Sequence, residues 1–86
     1  MDIRKLRGKD MIGKVIVGEA GRKYGVVGDV DFIVESGELL NLIVEKPTKH
    51  IQELGLKKDE RGRYLIPFSA VKSVGDFVII SEGEII

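Results

Sequence analysis

The sequence predicts an all-β fold, a small barrel of five or six short strands. Two patterns support this: a long β-hairpin between Tyr24 and Val44, and a later stretch, Tyr64 to Ile80, in which short apolar runs alternate with turn residues. The length of 86 residues supports it too, because a chain this short makes one domain. A barrel is the arrangement that hides the sheet edges of so small a domain.

The hairpin pattern predicts a register, because alternate residues of a strand face opposite sides of the sheet. A two-residue loop at Ser36 and Gly37 would pair Phe32 with Asn41 and mix the faces. A three-residue loop, Glu35-Ser36-Gly37, instead pairs Phe32 with Leu40 and Val30 with Leu42, and it gives Gly37 the left-handed position. The predicted core face consists of Val30, Phe32, Val34, Leu40, Leu42 and Val44. The other face carries Asp29, Asp31, Ile33, Leu39, Asn41 and Ile43.

The remaining elements are short. A strand is expected at residues 13–17, before the hairpin, and Pro47 ends the second hairpin strand because proline cannot donate to the ladder. Thr48 is expected to cap one helical turn over residues 49–54, which Gly55 ends. A strand at residues 64–67, a tight turn, a strand, a Gly-Asp turn and a last strand complete the chain.

Composition limits the classes of protein that fit. The chain has no cysteine, which excludes disulfides and thiolate metal sites. Its longest apolar runs, such as residues 77–80, are far shorter than the roughly 20 residues of a membrane span. The basic start, residues 1–7, lacks the apolar segment of a signal peptide, so we expect a cytoplasmic protein. The net charge is zero, but residues 24–45 sum to −5.

Asp29 and Asp31 are the first candidates for chemistry, because they lie on one strand face about 7 Å apart and paired carboxylates can serve acid-base or metal chemistry. No histidine, cysteine or third carboxylate joins them in the pattern. His50, the single histidine, lies among charged and polar neighbours, as a surface residue would. No serine lies in a nucleophile motif. The sequence therefore predicts no enzyme, no cofactor and no metal site.

Two further patterns concern phosphate. Residues 8–14 match the first seven positions of a phosphate-binding P-loop, but Val15 replaces the magnesium-binding hydroxyl and begins a strand pattern where a helix should start. Nucleotide binding is therefore not predicted. A group of basic residues could contact nucleic-acid phosphates, although a plain solvated face is the favoured interpretation. These residues are Arg4, Lys5, Arg7, Lys9, Arg22 and Lys23. Of the aromatic residues, Tyr24 and Tyr64 alone are candidates for exposure.

Apolar residues that exceed the needs of one core predict an interface. On this argument we expect a homodimer, with an interface that combines the acidic pair and the surplus apolar residues. The predicted interface residues are Asp29, Asp31, Ile33, Leu39, Ile43, Ile85 and Ile86.

Several segments together resemble the PRC-barrel domain family, from about Leu6 to Ser81. They are Gly13-Lys14-Val15, Gly25-Val26-Val27-Gly28-Asp29-Val30-Asp31-Phe32, Gly37-Glu38-Leu39, Leu42-Ile43-Val44, Ile66-Pro67-Phe68-Ser69-Ala70-Val71 and Val74-Gly75-Asp76-Phe77-Val78-Ile79. The order and spacing of the glycines, the aspartates and the late Ile-Pro pair carry the resemblance. We therefore assign residues 1–86 to a single PRC-barrel-like domain, with its core at about residues 6–81.

The resemblance implies a six-stranded barrel-like fold that serves as a docking module without catalytic activity. In this family the domain occurs in the photosynthetic reaction-centre H subunit, in a ribosome maturation factor and as small free-standing archaeal proteins, some of them linked to cell division. The chain looks most like the free-standing kind. The resemblance thus implies an adaptor on a larger protein assembly, with archaeal cell division as the candidate and ribosome maturation or RNA processing as the alternative. It gives no residue an inherited role.

Overall fold

The computed structural model describes residues 8–85, which form one six-stranded sheet in the order β4-β3-β2-β1-β6-β5. The sheet curls like a barrel but stays open between β4 and β5, its two edge strands. The prediction of a six-stranded, barrel-like all-β fold is confirmed. The strands are β1 (Val15–Gly18), β2 (Lys23–Phe32), β3 (Leu39–Glu45), β4 (Leu65–Pro67), β5 (Val71–Val74) and β6 (Phe77–Ile80).

Helical structure in the described residues is limited to short 3₁₀ turns, none of which is long enough to cross a membrane. The predicted turn after the hairpin is confirmed as Lys49–Leu54. The Thr48 side chain accepts the amide hydrogen of His50 at 3.3 Å, and Gly55 ends the turn with a left-handed φ of 60°. The other turns are Gly8–Asp10, Phe68–Ala70 and Glu82–Glu84.

All neighbouring strands are antiparallel except β1 and β6, which run parallel with Val15 opposite Phe77. The two edge strands, β4 and β5, follow each other in the chain and are joined only by the turn Phe68–Ala70. The Ser81 amide donates to the Ala70 carbonyl at 2.8 Å and holds this turn against the end of β6. A three-residue connection therefore brings the two open edges close together.

The core fills the space inside the curled sheet. Its largest side chain is Tyr24, which is only 1% exposed, so the expectation that Tyr24 could lie on the surface is wrong. The register between β1 and β2 shifts next to this residue, because Ile16 lies opposite Gly25 while Val17 lies opposite Lys23. This bulge turns Tyr24 inward. The other fully buried large side chains are Met11, Ile16, Val27, Leu42, Val44, Ile66, Val78 and Ile80.

The β2–β3 hairpin has the predicted register in its middle, from Asp29 to Asp31, and departs from it on both sides, at Val27 and at Phe32. Val30 lies opposite Leu42, as predicted. Phe32 lies opposite Leu39 rather than the predicted Leu40, because the register shifts by one residue between Asp31 and Phe32.

The loop that joins β2 to β3 also differs from the prediction. The Ile33 amide donates to the Glu38 carbonyl at 2.8 Å, and the Gly37 amide donates to the Ile33 carbonyl at 2.7 Å. These bonds enclose residues 34–37, so the predicted three-residue loop is wrong. Gly37 has a φ of 73°, which confirms its predicted left-handed conformation.

The predicted core face is correct at the base of the hairpin and wrong at its end. Leu42 and Val44 are buried, and Val30 packs against the core. Phe32, Val34 and Leu40 were assigned to the same face, but they are exposed. In the described residues the core ends before it reaches them.

Candidate interaction surfaces

The end of the hairpin, from Phe32 to Leu40, is the first candidate surface, and we call it the hairpin tip. Phe32 is 51% exposed, Val34 is 82% exposed and Leu40 is 43% exposed. Among the described residues the other exposed large apolar side chains are Ile12 and Phe77. The hairpin tip therefore concentrates most of the strongly exposed apolar side chains in one short segment.

The lengths of the neighbouring strands explain this exposure. On one side, β1 begins at Val15, which lies opposite Val26. On the other side, β4 reaches only as far as Pro67, which lies opposite Asn41. The last residues of β2 and the first of β3 thus extend past both neighbours, and in the described part of the chain they pair only with each other. A projecting two-stranded ribbon has little surface against which to bury its side chains.

The predicted interface residues differ in burial, and three of them, Asp29, Asp31 and Ile43, line one groove. Asp29 is exposed and Asp31 and Ile33 are half-buried, but Ile43 is only 8% exposed. Leu39 and Ile85 are half-buried and pack against the core, so they are not surplus to it, and neither is Ile43. Ile86 lies outside the described residues. Their role in an interface stays a prediction.

Asp29 and Asp31 border a shallow groove of about 610 Å³ on the outer side of β2, β3 and β4. One Asp29 carboxylate oxygen accepts the Val30 amide hydrogen at 2.8 Å, and Asp31 accepts from the Asn41 side-chain amide at 3.3 Å. Within residues 8–85, no group of three or more histidine, cysteine or acidic residues is arranged to hold a metal ion. Each carboxylate of the acidic pair therefore has one structural hydrogen bond.

The opposite wall of the groove is the turn between Asp59 and Arg63. The backbone amide and the guanidinium of Arg63, together with the Arg61 amide, hold the pKa of Asp59 below its ordinary value. The ionised Asp59 carboxylate therefore stabilises its own turn through these hydrogen bonds. Lys58 lies over the Tyr64 ring, 4.9 Å from its centroid, so the second predicted exposed tyrosine is half-covered.

A second polar cluster joins the C-terminal turn to the start of β2. The Tyr24 hydroxyl donates to one Glu82 carboxylate oxygen at 2.8 Å, and the other oxygen accepts the Glu19 amide hydrogen at 3.2 Å. Burial, and then the bond to Glu82, raise the pKa of Tyr24 to about 12. Burial opposes ionisation of Glu82, but its hydrogen bonds with backbone amides and with Tyr24 outweigh this and lower its pKa.

Such a tyrosine is a poor acid or nucleophile at neutral pH, so we interpret the Tyr24–Glu82 contact as structural. Sequence reasoning missed it, because the two residues are far apart in the chain and no local pattern connects them. We also interpret the neighbouring charged contacts as structural. Arg22 forms an ion pair with Glu53, and His50 lies 3.7 Å from the same Glu53 carboxylate.

Two groups of residues were candidates for phosphate binding, the P-loop-like segment and the basic residues. The P-loop-like segment forms the 3₁₀ turn Gly8–Asp10, and β1 begins at Val15, which confirms the predicted strand. Of the predicted basic patch, Arg4, Lys5 and Arg7 lie outside the described residues. Arg22 is paired with Glu53, whereas Lys9 and Lys23 are exposed.

Comparison with known proteins identifies the fold. The family described as the PRC-barrel domain matches residues 4–85. The chain belongs to the PRC-barrel domain family. It is also 31% identical over 83 residues to the uncharacterized protein MJ1118 of Methanocaldococcus jannaschii, a match that covers 96% of this chain and 89% of that protein. A PRC-barrel domain indicates a small interaction module, and neither comparison indicates catalysis.

Proposed function

We propose that this PRC-barrel protein is a non-catalytic adaptor that forms a homodimer and docks onto a larger protein assembly through its hairpin tip. The observation that carries this proposal is the exposure of Phe32, Val34 and Leu40 on a segment that projects beyond its neighbours. Large apolar side chains on a projecting segment resemble the anchors that enter a partner's pocket and provide most of the binding free energy.

Charge defines the chemistry of the partner. The hairpin tip contains Glu35 and Glu38 and is preceded by Asp29 and Asp31, and residues 24–44 contain no lysine, arginine or histidine. A nucleic acid or an anionic membrane would be repelled by this segment. The complementary partner is a protein with an apolar cleft bordered by basic side chains, and complementary charge would speed its association.

The family resemblance makes the archaeal cell-division machinery our candidate for the assembly. Ribosome maturation is the second candidate, and the basic residues at positions 4, 5, 7 and 9 favour it. The two candidates predict different proteins at the hairpin tip.

A photo-crosslinking amino acid at position 34, in the full chain expressed in its native cell, would test the proposal. Val34 is 82% exposed, so the replacement leaves the core intact. We expect crosslinks to one assembly, identified by mass spectrometry, and none to that assembly from the exposed position 69. The purified crosslinked protein should then bind the wild-type chain, with at least tenfold weaker binding to Val34→Asp and unchanged binding to Ser69→Asp.

Equal binding of the wild type and Val34→Asp would show that the hairpin tip is not the docking element. Crosslinks to ribosomal proteins or RNA, together with undetectable binding to division proteins, would replace the first candidate by the second.

A further inference from the structure

The outer side of β1 and its neighbours carries a second apolar surface, made of Val15, Val17, Val26, Phe77 and Ile79, which we call the apolar face. Directly paired residues point to the same side of a sheet. Val15 lies opposite Val26 on β2 and opposite Phe77 on β6, and Val17 lies opposite Ile79. Their neighbours Ile16 and Val78 are 0% exposed and point into the core. The five residues therefore share the outer side.

Strands β1 and β6 are apolar on both sides, which is unusual at a protein surface. They also form the parallel pair of the sheet. Parallel strands with continuous apolar runs are characteristic of sheets that are covered on both faces. Here the inner side is covered by the core, whereas Phe77 on the outer side is 49% exposed and its four partners are half-buried. Within residues 8–85, nothing covers the outer side of this sheet as the core covers its inner side.

Two opposite charges border the apolar face. Glu45 lies opposite Val26, at the end of the row that contains Val15 and Phe77. Lys23 lies opposite Val17, at the end of the next row, which contains Ile79. Both charged residues are exposed. Ser73, opposite Ile79, ends the second row at the other side, beside the exposed Lys72, which lies 3.6 Å from Glu84.

We propose that the apolar face binds a second copy of this chain around a two-fold axis that runs across the strands, between the two rows. Such an axis exchanges the rows. It places Val15 over Val17, and Phe77 over Ile79, of the other copy, and it brings Lys23 of each copy next to Glu45 of the other. This inference rests on the proposed function, of which self-association is a part, and it names the surface.

Charge favours this occupant over others, and size indicates the strength of binding. Lys23 and Glu45 carry opposite charges at the end of the rows that lies toward β3, so this end of the face complements itself under the two-fold axis. The rows span about 15 Å across the strands at the usual strand spacing. Two rows of this length, about 7 Å apart, cover less area than the roughly 800 Å² per partner of a standard interface. We therefore expect a weak dimer, with a dissociation constant on the order of 10 to 100 μM.

A charge-exchange experiment tests the proposal. Sedimentation equilibrium of the full chain should show a reversible dimer. Concentrations of about 5 to 500 μM bracket the expected dissociation constant. Lys23→Glu and Glu45→Lys should each weaken it by about tenfold, because symmetry repeats each repulsion twice. The double variant Lys23→Glu/Glu45→Lys should restore wild-type association, and Glu60→Lys, an exposed control outside the face, should change nothing.

Two results would overturn the proposal: a wild type that stays monomeric throughout this concentration range, or a dimer that the single charge changes leave intact. A dimer lost in both single variants and not restored in the double variant would reject the two-fold arrangement. The docking function fails separately, because Val34→Asp leaves the apolar face unchanged. Loss of partner binding in Val34→Asp, with normal dimerisation, would support docking through the hairpin tip. Loss of dimerisation in a charge variant of the apolar face, with normal partner binding, would support dimerisation through that face.

Discussion

The two ends of the β2–β3 hairpin have similar sequences and opposite environments. At its base, where β1 and β4 lie on either side of the hairpin, Val27 and Leu42 are fully buried in the core. At its tip, Phe32, Val34 and Leu40 have equally apolar side chains but are exposed. Alternation along a strand determines which side a residue faces. The length of the neighbouring strands determines whether anything lies on that side.

The largest expected difference between the two ends concerns the core. Leu42→Ala should lower the free energy of unfolding by about 2 to 5 kcal/mol, because it leaves a cavity at a fully buried site. Leu40→Ala, the same change two residues away and 43% exposed, should cost less than about 1 kcal/mol. Urea unfolding followed by circular dichroism measures both. Similar losses in the two variants would show that the tip is packed in solution.

Glycines at the two ends give the next contrast. Gly25 has a φ of 153°, and an added Cβ would lie 2.6 Å from a Val44 methyl and 2.9 Å from the Glu45 carbonyl oxygen. Gly25→Ala should therefore cost about 1 to 3 kcal/mol. Gly37→Ala in the loop has a φ of 73° but open space around it, so about 1 kcal/mol is expected from backbone strain alone. Thermal unfolding compares the two, and equal losses would contradict the crowding at Gly25.

The Tyr24 contact at the base adds a pH dependence that the tip lacks. Since the pKa of Tyr24 is raised to about 12 in the folded state, its stabilisation is complete below pH 10 and is lost as the pH rises toward 12. Tyr24→Phe should reduce the free energy of unfolding by about 1.5 kcal/mol at neutral pH and remove this alkaline loss. Phenolate absorbance of the wild type, with the variant as reference, should show the raised midpoint, and a midpoint near 10 would contradict the buried bond.

At acid pH, Glu82 gives a pH dependence of stability with the opposite sign. Because its pKa is lowered on folding, its stabilisation is present above the ordinary pKa of 4.5 and is lost as the pH falls through the lower value. Glu82→Gln should therefore be less sensitive to acid than the wild type in urea unfolding at successive pH values. An equal acid loss in both chains would assign the effect to other carboxylates.

The smallest effect belongs to the tip itself. Val34→Asp should change the free energy of unfolding by less than about 0.5 kcal/mol, because the side chain is 82% exposed. The variant thus separates docking from folding. A large loss of stability in denaturant would show that Val34 is part of a packed structure.

Local patterns predicted the fold well, because strands, turns and caps depend on neighbouring residues. The helical turn Lys49–Leu54 with its Thr48 cap and the pairing of Val30 with Leu42 followed from such patterns. Bulges did not, since a single inserted residue in a ladder has no strong signature. The bulges beside Tyr24 and between Asp31 and Phe32 account for the wrong burial of Tyr24 and for the wrong pairing of Phe32.

The candidate surfaces were predicted less well than the fold, because they depend on which strands lie side by side. The apolar character of Val15 and Phe77 is visible in the sequence. Their meeting on the outer side depends on the parallel pairing of β1 with β6, which joins distant parts of the chain. No periodicity within a single strand contains that information, so the apolar face could be recognised only from the structure.

The pairing of β1 with β6 also determines when the apolar face can form. Val15 and Phe77 are paired although most of the chain lies between them. Contacts between such distant residues form late, because closing a long loop costs entropy. The apolar face does not exist until they meet. If the apolar face binds a second copy as proposed, a nascent or partly folded chain lacks that surface, and self-association requires the finished fold.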